Sequence, residues 1–328
     1  IDGHYDILMD VAARRKKGER QVIRRRYYPA FQKGGVTGIV ASIFVDSQYL
    51  PYGALSVAME QISALHCEIE ETPDLLMLCT SADDFLRAAE TGKIGFLLSF
   101  EGAEPVSSCL LLHGFYAAGV RGLGLAWSRR NAAADGCDFS GSLKKGGLTE
   151  FGRELVKEAE DLHMILDLSH LSDEGVEDVL SITSCPVIAS HSNSRAVAGS
   201  NRNLTDCQMR EIASRGGTVG LNGCSLLTAG PGVSPDQNGL TAHLDHMTEI
   251  MGEDHVAFGF DFCDSFFADD LSSSTDQMPE RPFDILSGAH ENLPAFLDHL
   301  RQHGYTESHL AKLAGENWLH TFRHILKH

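Results

Sequence analysis

Short apolar, β-branched runs alternate with helical patterns along almost the whole of this 328-residue chain. Eight of these runs predict strands, because they combine β-branched and apolar residues over a short length. They lie near residues 1–6, 37–46, 94–102, 121–127, 164–169, 186–190, 217–222 and 255–261. A ninth run at 75–79 predicts a short strand outside the main set. Eight strands separated by helices favour a single (β/α)8 TIM barrel, one domain over residues 1–328.

Helical patterns fill the gaps between the predicted strands, and four of them begin at a residue suited to cap a helix. Ser81, Thr149, Ser172 and Thr205 each stand just before a helical segment whose first turn contains an acidic residue. An open doubly wound sheet is the alternative fold, but no GxGxxG dinucleotide fingerprint follows an early strand. The predicted helices span 53–71, 82–91, 149–163, 172–182, 205–215, 238–252, 293–303 and 306–325.

Composition narrows the classes of function. The chain is 43% hydrophobic and 22% charged, which is ordinary for a globular protein with a large core. Its net charge of −18 makes nucleic acid and anionic membranes poor partners. The 8 cysteines form no CxxC motif, and we find neither a signal peptide nor an apolar run near 18 residues. Together these features predict reduced thiols and a cytoplasmic protein.

Side chains that can bind a metal follow five of the predicted strands, each at the point where the strand ends. They are His4 and Asp6 after the first strand, Glu101 after the third, His170 after the fifth, His191 after the sixth and Asp261 after the eighth. In a closed parallel barrel all strand carboxyl ends meet on one face, so these six residues are expected to converge. Two predicted loops, 128–147 and 263–283, follow strands at the same end.

The residue types suit a site for two divalent metal ions. His4 and Asp6 are two positions apart in a strand, so they project from the same face. Imidazole and carboxylate ligands suit zinc, although manganese or cobalt could fill such a site. Two ions about 3.5–4 Å apart can hold a bridging hydroxide, because bound metal lowers the pKa of water to roughly 7. Asp261 would then carry the proton from the nucleophile to the leaving group.

Five short motifs carry these residues: HxD near the start, SFEG, LDLSH, SHSNSRAVAGSNRN and GFDF. Together they resemble the membrane (renal) dipeptidases, the M19-type metallopeptidases of the amidohydrolase superfamily. The most specific stretch is LTEFGRELVKEAEDLHMILDLSHLSD, and LAGENWLHTF near the end resembles the closing helix of the family. The resemblance covers nearly the whole chain and implies a (β/α)8 barrel with a binuclear zinc centre.

The resemblance implies a role for each of the six residues. One zinc ion would be bound by His4 and Asp6, and the other by His170 and His191. Glu101 would bind both ions. Asp261 would be the catalytic acid/base. Arg202 resembles the arginine that holds the free carboxylate of the substrate, since its planar fork can donate two hydrogen bonds to a carboxylate.

One position departs from the family pattern. Many members carry a histidine at the end of the fourth strand, where it helps to bind the scissile group, whereas this chain carries Trp127. Tryptophan cannot polarise a carbonyl as imidazole does, so we expect Trp127 to form an apolar wall of the substrate site. Asn131 and the ADG sequence at 134–136 follow it, as in other members with tryptophan, and Asn131 is a further candidate for substrate binding.

The resemblance therefore implies a zinc-dependent dipeptidase. Its substrate would be a small dipeptide with a free C-terminal carboxylate, and a D-residue at that position would be tolerated. Other reactions on the same binuclear site stay open, namely those of an N-acyl amino acid deacetylase, a lactonase or a deaminase, as does a scaffold role without catalysis. Arg202 favours the dipeptidase, because a deaminase needs no carboxylate anchor. Members often form homodimers, so the resemblance implies a homodimer.

Overall fold

Parallel strands form the centre of the computed structural model, which describes residues 1–137, 146–267 and 283–326. Every strand that the sequence predicts is present in these ranges, including the short ninth strand. The strands are β1 (Asp2–Tyr5), β2 (Gly38–Ile43), β3 (Leu76–Leu78), β4 (Ile94–Glu101), β5 (Val120–Gly124), β6 (Ile165–Asp167), β7 (Ile188–Ala189), β8 (Thr218–Leu221) and β9 (Val256–Phe258).

The strands follow one another around a nearly closed cylinder. Their order is β1-β2-β4-β5-β6-β7-β8-β9, every neighbouring pair is parallel, and β3 pairs with β4 outside this path. Where β9 returns to β1, the amide N–H of Asp261 donates to the carbonyl of His4 at 3.3 Å. The amide N–H of Phe260 also donates to the Asp2 carboxylate at 2.9 Å. The predicted TIM barrel is therefore confirmed.

Helices connect the strands, and all eight predicted helices are present, although the last is split by a π-helical turn at Lys312–Glu316. The side chains of Ser81, Thr149, Ser172 and Thr205 accept backbone hydrogen bonds as N-caps, as predicted. None of the helices in the described ranges is long and apolar enough to cross a membrane. The helices are α1 (Ile7–Lys16), α2 (Tyr28–Gly34), α3 (Ala54–Glu71), α4 (Ala82–Glu90), α5 (Cys109–Ala117), α6 (Glu150–Asp161), α7 (Asp173–Ile182), α8 (Asp206–Ser214), α9 (Ser225–Thr228), α10 (Gln237–Met251), α11 (Asp264–Phe267), α12 (Leu293–Gln302), α13 (Glu307–Ala311) and α14 (Asn317–Ile325).

Two of the longer helices, α1 and α5, were not predicted from the sequence. In both, the order of apolar and polar residues hides the helical periodicity. Basic residues end α1, and they make ion pairs: Arg14 with Asp10 at 2.7 Å, and Arg15 with Glu71 of α3 at 2.7 Å. The α5 sequence CLLLHGFYA is almost entirely apolar, so it shows no polar face. Of the two predicted loops, residues 138–145 and 268–282 lie outside the described ranges.

The C-terminal helix α14 packs against β8 and β9. Asn317 donates to the carbonyl of Val256 at 2.7 Å, and the indole N–H of Trp318 donates to the carbonyl of Phe258 at 2.8 Å. Trp318 is fully buried, and a side chain at Gly3 would come within 2.4 Å of its ring. This helix therefore closes the barrel, as the closing-helix motif indicated.

Replacing Trp318 by Ala should lower the free energy of unfolding by about 3–5 kcal/mol, because it leaves a large cavity under the barrel. The change can be measured by chemical denaturation followed by circular dichroism. Leu110→Ala in α5 is the control, since this leucine is 82% exposed and its truncation should cost less than about 0.5 kcal/mol. Equal effects of the two substitutions would contradict a closing role for α14.

Candidate metal centre

The six predicted residues converge at the carboxyl ends of the barrel strands. Glu101 ends β4 and lies between the histidines. Its Oε2 is 3.6 Å from Nε2 of His4, while its Oε1 is 2.9 Å from Nε2 of His170. Nε2 of His191 lies 3.5 Å from the same Oε1 atom. One carboxylate oxygen therefore faces each half of the cluster, as a bridging ligand requires.

Three overlapping groups of side chains could each hold a metal ion. Within each group, the ligand atoms all lie within 4.8 Å of one another. They are His4 with Asp6 and Glu101, Glu101 with His170 and His191, and His4 with His191 and Asp261. The first two groups share Glu101 and match the two predicted metal positions. The third adds Asp261, whose Oδ1 lies 3.9 Å from Nε2 of His4. This arrangement can hold divalent cations.

Several atoms of the cluster have no hydrogen-bond partner among the described residues. Nε2 of His4 and Oδ1 of Asp6 are buried and unpaired. The Nε2 atoms of His170 and His191 face each other at 3.0 Å. Buried polar atoms in folded proteins are nearly always paired, so Nε2 of His4 and Oδ1 of Asp6 need a partner that the described residues do not supply. A cation would be such a partner, and the donor set fits one.

Burial decides the charge of two of the histidines. It lowers the pKa of His170 and His191 well below the usual histidine value, and the nearby charges of Arg202 and His4 lower it further. Both rings are therefore neutral at pH 7. Neutral imidazole is the form that binds a metal ion.

The other half of the cluster retains a proton. Burial, with a smaller contribution from Asp6, raises the pKa of Glu101 to about 8. Burial alone would lower the pKa of His4, but the neighbouring carboxylates of Glu101 and Asp6 outweigh it and raise that pKa well above the usual value. At neutral pH the metal-free cluster thus shares at least one proton among these groups.

Asp261 occupies an unusual backbone conformation at the edge of the cluster. Its φ is +57° and that of His170 is +68°, in the left-handed region that residues other than glycine rarely adopt. Such conformations are found preferentially at functional sites. Burial raises the pKa of Asp261 to about 6, and Nδ2 of Asn222 donates to its Oδ2 at 3.1 Å. A carboxyl group of this kind can exchange a proton near neutral pH.

Arg202 lies beside the cluster, in the loop between β7 and α8, and is 7% exposed. Its Nη1 donates to the Ser192 hydroxyl at 2.8 Å, and its Nη2 donates to the carbonyl of His191 at 2.8 Å. After burial, Arg202 is the strongest influence that lowers the pKa of His170. The guanidinium therefore sits within electrostatic reach of the candidate ligands.

Trp127 is half-buried and stands next to the cluster. Its ring centre is 5.7 Å from that of His170 and 5.4 Å from that of Phe44. The Arg129 guanidinium lies 5.0 Å from the indole ring, close enough for a cation–π contact. These contacts make an aromatic wall at one side of the barrel mouth.

Asn131 uses its side chain to shape the loop that follows Trp127. Its Nδ2 donates to the carbonyl of Leu125 at 2.8 Å. Its Oδ1 accepts from the amides of Ala133 and Ala134 at 2.8 and 3.0 Å. These bonds occupy the carbonyl end of the amide, and a part for Asn131 in substrate binding stays a prediction.

Serine hydroxyls contact four of the candidate ligands, which the sequence did not predict. The longest contact, 3.4 Å, joins the Ser190 hydroxyl to Nδ1 of His4, and three others are shorter. They are Ser42 with Oε2 of Glu101 at 3.1 Å, Ser128 with Nδ1 of His170 at 2.8 Å, and Ser190 with Nδ1 of His191 at 2.7 Å. The one sequence signal for Ser190 is that it precedes His191 at a strand end. Serine is too common in loops for that position alone to indicate a role.

A parallel barrel with imidazole and carboxylate groups at its strand ends defines a metal-dependent hydrolase. Residues 1–327 match the family model of the membrane dipeptidases, peptidase family M19. The chain therefore belongs to that family and is a metallo-dipeptidase, which confirms the family that the motifs indicated. Metallopeptidases of this family depend on metal, in agreement with the clusters of candidate ligands.

Individual relatives are similar to this chain over nearly the whole of their own length. The dipeptidase AC, a solved metallopeptidase of family M19, is 30% identical, with a TM-score of 0.85 over 99% of this chain and 98% of its own. A metallopeptidase from Rhodobacter sphaeroides, solved with a phosphinate mimic of the dipeptide L-Ala-D-Ala, is 29% identical, with a TM-score of 0.83 over the same shares. The Klebsiella pneumoniae "Uncharacterized protein in pqqA 5'region" is 33% identical over 283 residues, 84% of this chain and 98% of its own.

Metal binding is expected to release protons and to strengthen as the pH rises from 6 to about 8. The metal-free cluster holds a proton because the pKa of Glu101 is about 8 and that of His4 is raised, and a cation must displace that proton. Zinc affinity, measured by competition with a chelator of known pH dependence, should rise about tenfold per pH unit for each proton released. An affinity that stays constant from pH 6 to 8 would contradict this charge balance.

Proposed function

We propose that this chain hydrolyses dipeptides with a free C-terminal carboxylate at two zinc ions, with Asp261 as the acid/base. Manganese or cobalt could replace zinc, since the same ligands suit them. The observation that supports the choice of substrate is a buried arginine beside the candidate ligands, Arg202, whose Nε has no hydrogen-bond partner among the described residues. We assign His4 and Asp6 to one ion, and His170 and His191 to the other. Glu101 would bind both ions.

Arg202 has unused hydrogen-bonding capacity. Its Nε is buried without a hydrogen-bond partner among the described residues, and its charge acts on the Asp261 carboxylate only at a distance, lowering the pKa of that group. A buried charge without a partner is costly, so the site favours an anion that enters it. A substrate carboxylate suits this position, because it can accept two parallel hydrogen bonds from the guanidinium.

The residues of the chain divide the work of the reaction. When bound, divalent cations would polarise the scissile carbonyl and lower the pKa of the attacking water. Asp261 would take a proton from that water and deliver it to the leaving amine. Asn222 holds one oxygen of Asp261 at 3.1 Å, which leaves the other oxygen directed towards the cluster. Arg202 would anchor the substrate so that its amide lies over the ligands.

The tolerance of a D-residue at the C-terminal position is supported by a relative. The Rhodobacter sphaeroides metallopeptidase was solved with a mimic of L-Ala-D-Ala, and it is 29% identical to this chain. In this chain Trp127 and Phe44, with ring centres 5.4 Å apart, would form the apolar wall beside the substrate. We therefore propose small L,D-dipeptides as substrates.

Replacing Arg202 by Ala should reduce kcat/KM for L-Ala-D-Ala by about 10²–10³-fold, mostly through KM, because it removes a charge-assisted anchor worth ~2–4 kcal/mol. Arg202→Lys keeps the charge without the planar fork and should lose less. Steady-state kinetics on the dipeptide and on its C-terminal amide provide the measurement. The wild type should prefer the free acid, and Arg202→Ala should not distinguish the two. A wild type that cleaves both equally would argue against the anchor, and turnover of N-acetyl amino acids alone would favour the deacetylase.

Asp261→Asn should lower kcat by about 10²–10⁴-fold, because the variant cannot exchange a proton with water or with the amine. KM should change far less. Metal content should be measured alongside, since Asp261 also lies within reach of the ligands. Asp298→Asn, at an exposed carboxylate of α12, is the matched control and should keep wild-type kcat. Full activity of Asp261→Asn would assign the proton transfer to another group.

A further inference from the structure

We propose that Asp167 and Ser190 act as a positioning pair that sets the ring tautomer of both His4 and His191. In this arrangement one hydroxyl group holds the Nδ1 proton of a histidine at each metal position, so that Nε2 is the nitrogen left for a metal ion. The inference rests on the proposed function, because it takes these two histidines as ligands. Neither residue of the pair touches the reacting atoms, so both act through the histidines.

The contacts of the Ser190 hydroxyl are the starting point. It lies within hydrogen-bond distance of Oδ2 of Asp167, 2.7 Å from Nδ1 of His191 and 3.4 Å from Nδ1 of His4. The Ser169 hydroxyl is a fourth neighbour, at 3.4 Å. Asp167 ends β6 and Ser190 follows β7, and both are buried, at 5% and 1% exposure. Protein groups rather than bulk water therefore satisfy this hydroxyl.

The hydrogen-bond partners of Asp167 determine the direction in which the Ser190 hydroxyl donates. Oδ1 of Asp167 already accepts from the backbone amides of Ser169 and Ser190, at 3.0 and 2.9 Å. Its Oδ2 is an acceptor as well, so the single hydrogen of the Ser190 hydroxyl goes to Asp167. The lone pairs of that hydroxyl then face the Nδ1–H groups of His191 at 2.7 Å and of His4 at 3.4 Å, with the Ser169 hydroxyl at the same distance as His4.

This orientation fixes the other nitrogen of each ring. A neutral histidine that carries its proton on Nδ1 has a lone pair on Nε2, which is the form that coordinates a metal. Nε2 of His191 faces Oε1 of Glu101 at 3.5 Å, and Nε2 of His4 faces Oε2 at 3.6 Å. Because the two oxygens belong to opposite halves of the cluster, Ser190 serves both metal positions.

The backbone around Ser190 leaves it little freedom to move. A Cβ atom on Gly259 would lie 1.8 Å from the carbonyl oxygen of Ser190, and one on Gly220 would lie 2.0 Å from it. Only glycine at these two positions allows β8 and the end of β9 to lie so close to the Ser190 carbonyl. The hydroxyl is therefore held at a fixed point between the two histidines.

Ser128 offers a matched control in the same site. Its hydroxyl lies 2.8 Å from Nδ1 of His170, so it contacts one candidate ligand and not two. Its other contact is the thiol of Cys137 at 3.5 Å. Loss of this hydroxyl should weaken only the metal position that contains His170.

Asp167→Asn is the decisive substitution, because it reverses the hydrogen-bond direction without changing shape. The backbone amides should retain the side-chain oxygen, so the new NH2 group donates to Ser190. The Ser190 hydrogen then turns away from residue 167, and the acceptor nearest to it is Nδ1 of His191 at 2.7 Å. A hydrogen bond there places the proton of that ring on Nε2, towards the metal. We expect zinc to bind about 10–100-fold more weakly, as is typical when a group behind a ligand is changed.

Zinc affinity and stoichiometry should be measured on the full chain by chelator competition and elemental analysis, with circular dichroism of the metal-free protein as the folding check. Ser190→Ala should weaken both ions, whereas Ser128→Ala should weaken one. In the Ser190→Ala background, Asp167→Asn should cost less than about threefold more, because the route through the hydroxyl is already lost. Such non-additivity is not expected if Asp167 only supports the backbone.

Three results would overturn the inference while leaving the proposed function in place. These are wild-type zinc affinity in folded Asp167→Asn, full additivity of the two substitutions, and loss of a single ion in Ser190→Ala. If Asp167→Asn does not fold, Ser190→Ala alone decides, since unchanged affinity overturns the inference and loss at both ions supports it. A wild type that binds no zinc would remove the proposed function and this inference together.

Discussion

The Glu101 carboxylate is shared between two sets of buried histidines, and this sharing determines what the mouth of the barrel can do. One oxygen faces His4 and the other faces His170 and His191. Burial raises the pKa of Glu101 to about 8, so its negative charge must be balanced by a proton or by a cation. Protonation and metal occupancy are therefore alternatives at this site.

Closure of the barrel brings the candidate metal ligands together. It also requires backbone conformations that destabilise the folded chain. His170 and Asp261 have positive φ angles, each costing on the order of 1–3 kcal/mol. Gly220 and Gly259 let neighbouring strands crowd the carbonyl of Ser190. The buried cluster around Trp318 contributes stability that allows such strain to persist.

The sequence predicted what depends on local pattern and missed what depends on tertiary contact. Strands and the six convergent residues could be found, because a side chain at a strand end has a known place in a parallel barrel. The α5 helix was missed because its apolar sequence has no polar face, and Asp167 was missed because its hydrogen bond to Ser190 crosses from β6 to β7. The cytoplasmic location, the single domain and the homodimer stay predictions.

A comparison within β1 separates structure from function. Asp2 and His4 are both 2% exposed and two positions apart, so they share a face of the same strand. Asp2 is fully paired, with His290 at 2.7 Å and the amide of Phe260 at 2.9 Å, whereas Nε2 of His4 has no hydrogen-bond partner among the described residues. An unpaired buried nitrogen destabilises the fold by about 1–3 kcal/mol, so burial alone does not explain why Nε2 of His4 is left without a hydrogen bond. The chain satisfies the first group to hold the barrel together and leaves the second for a ligand.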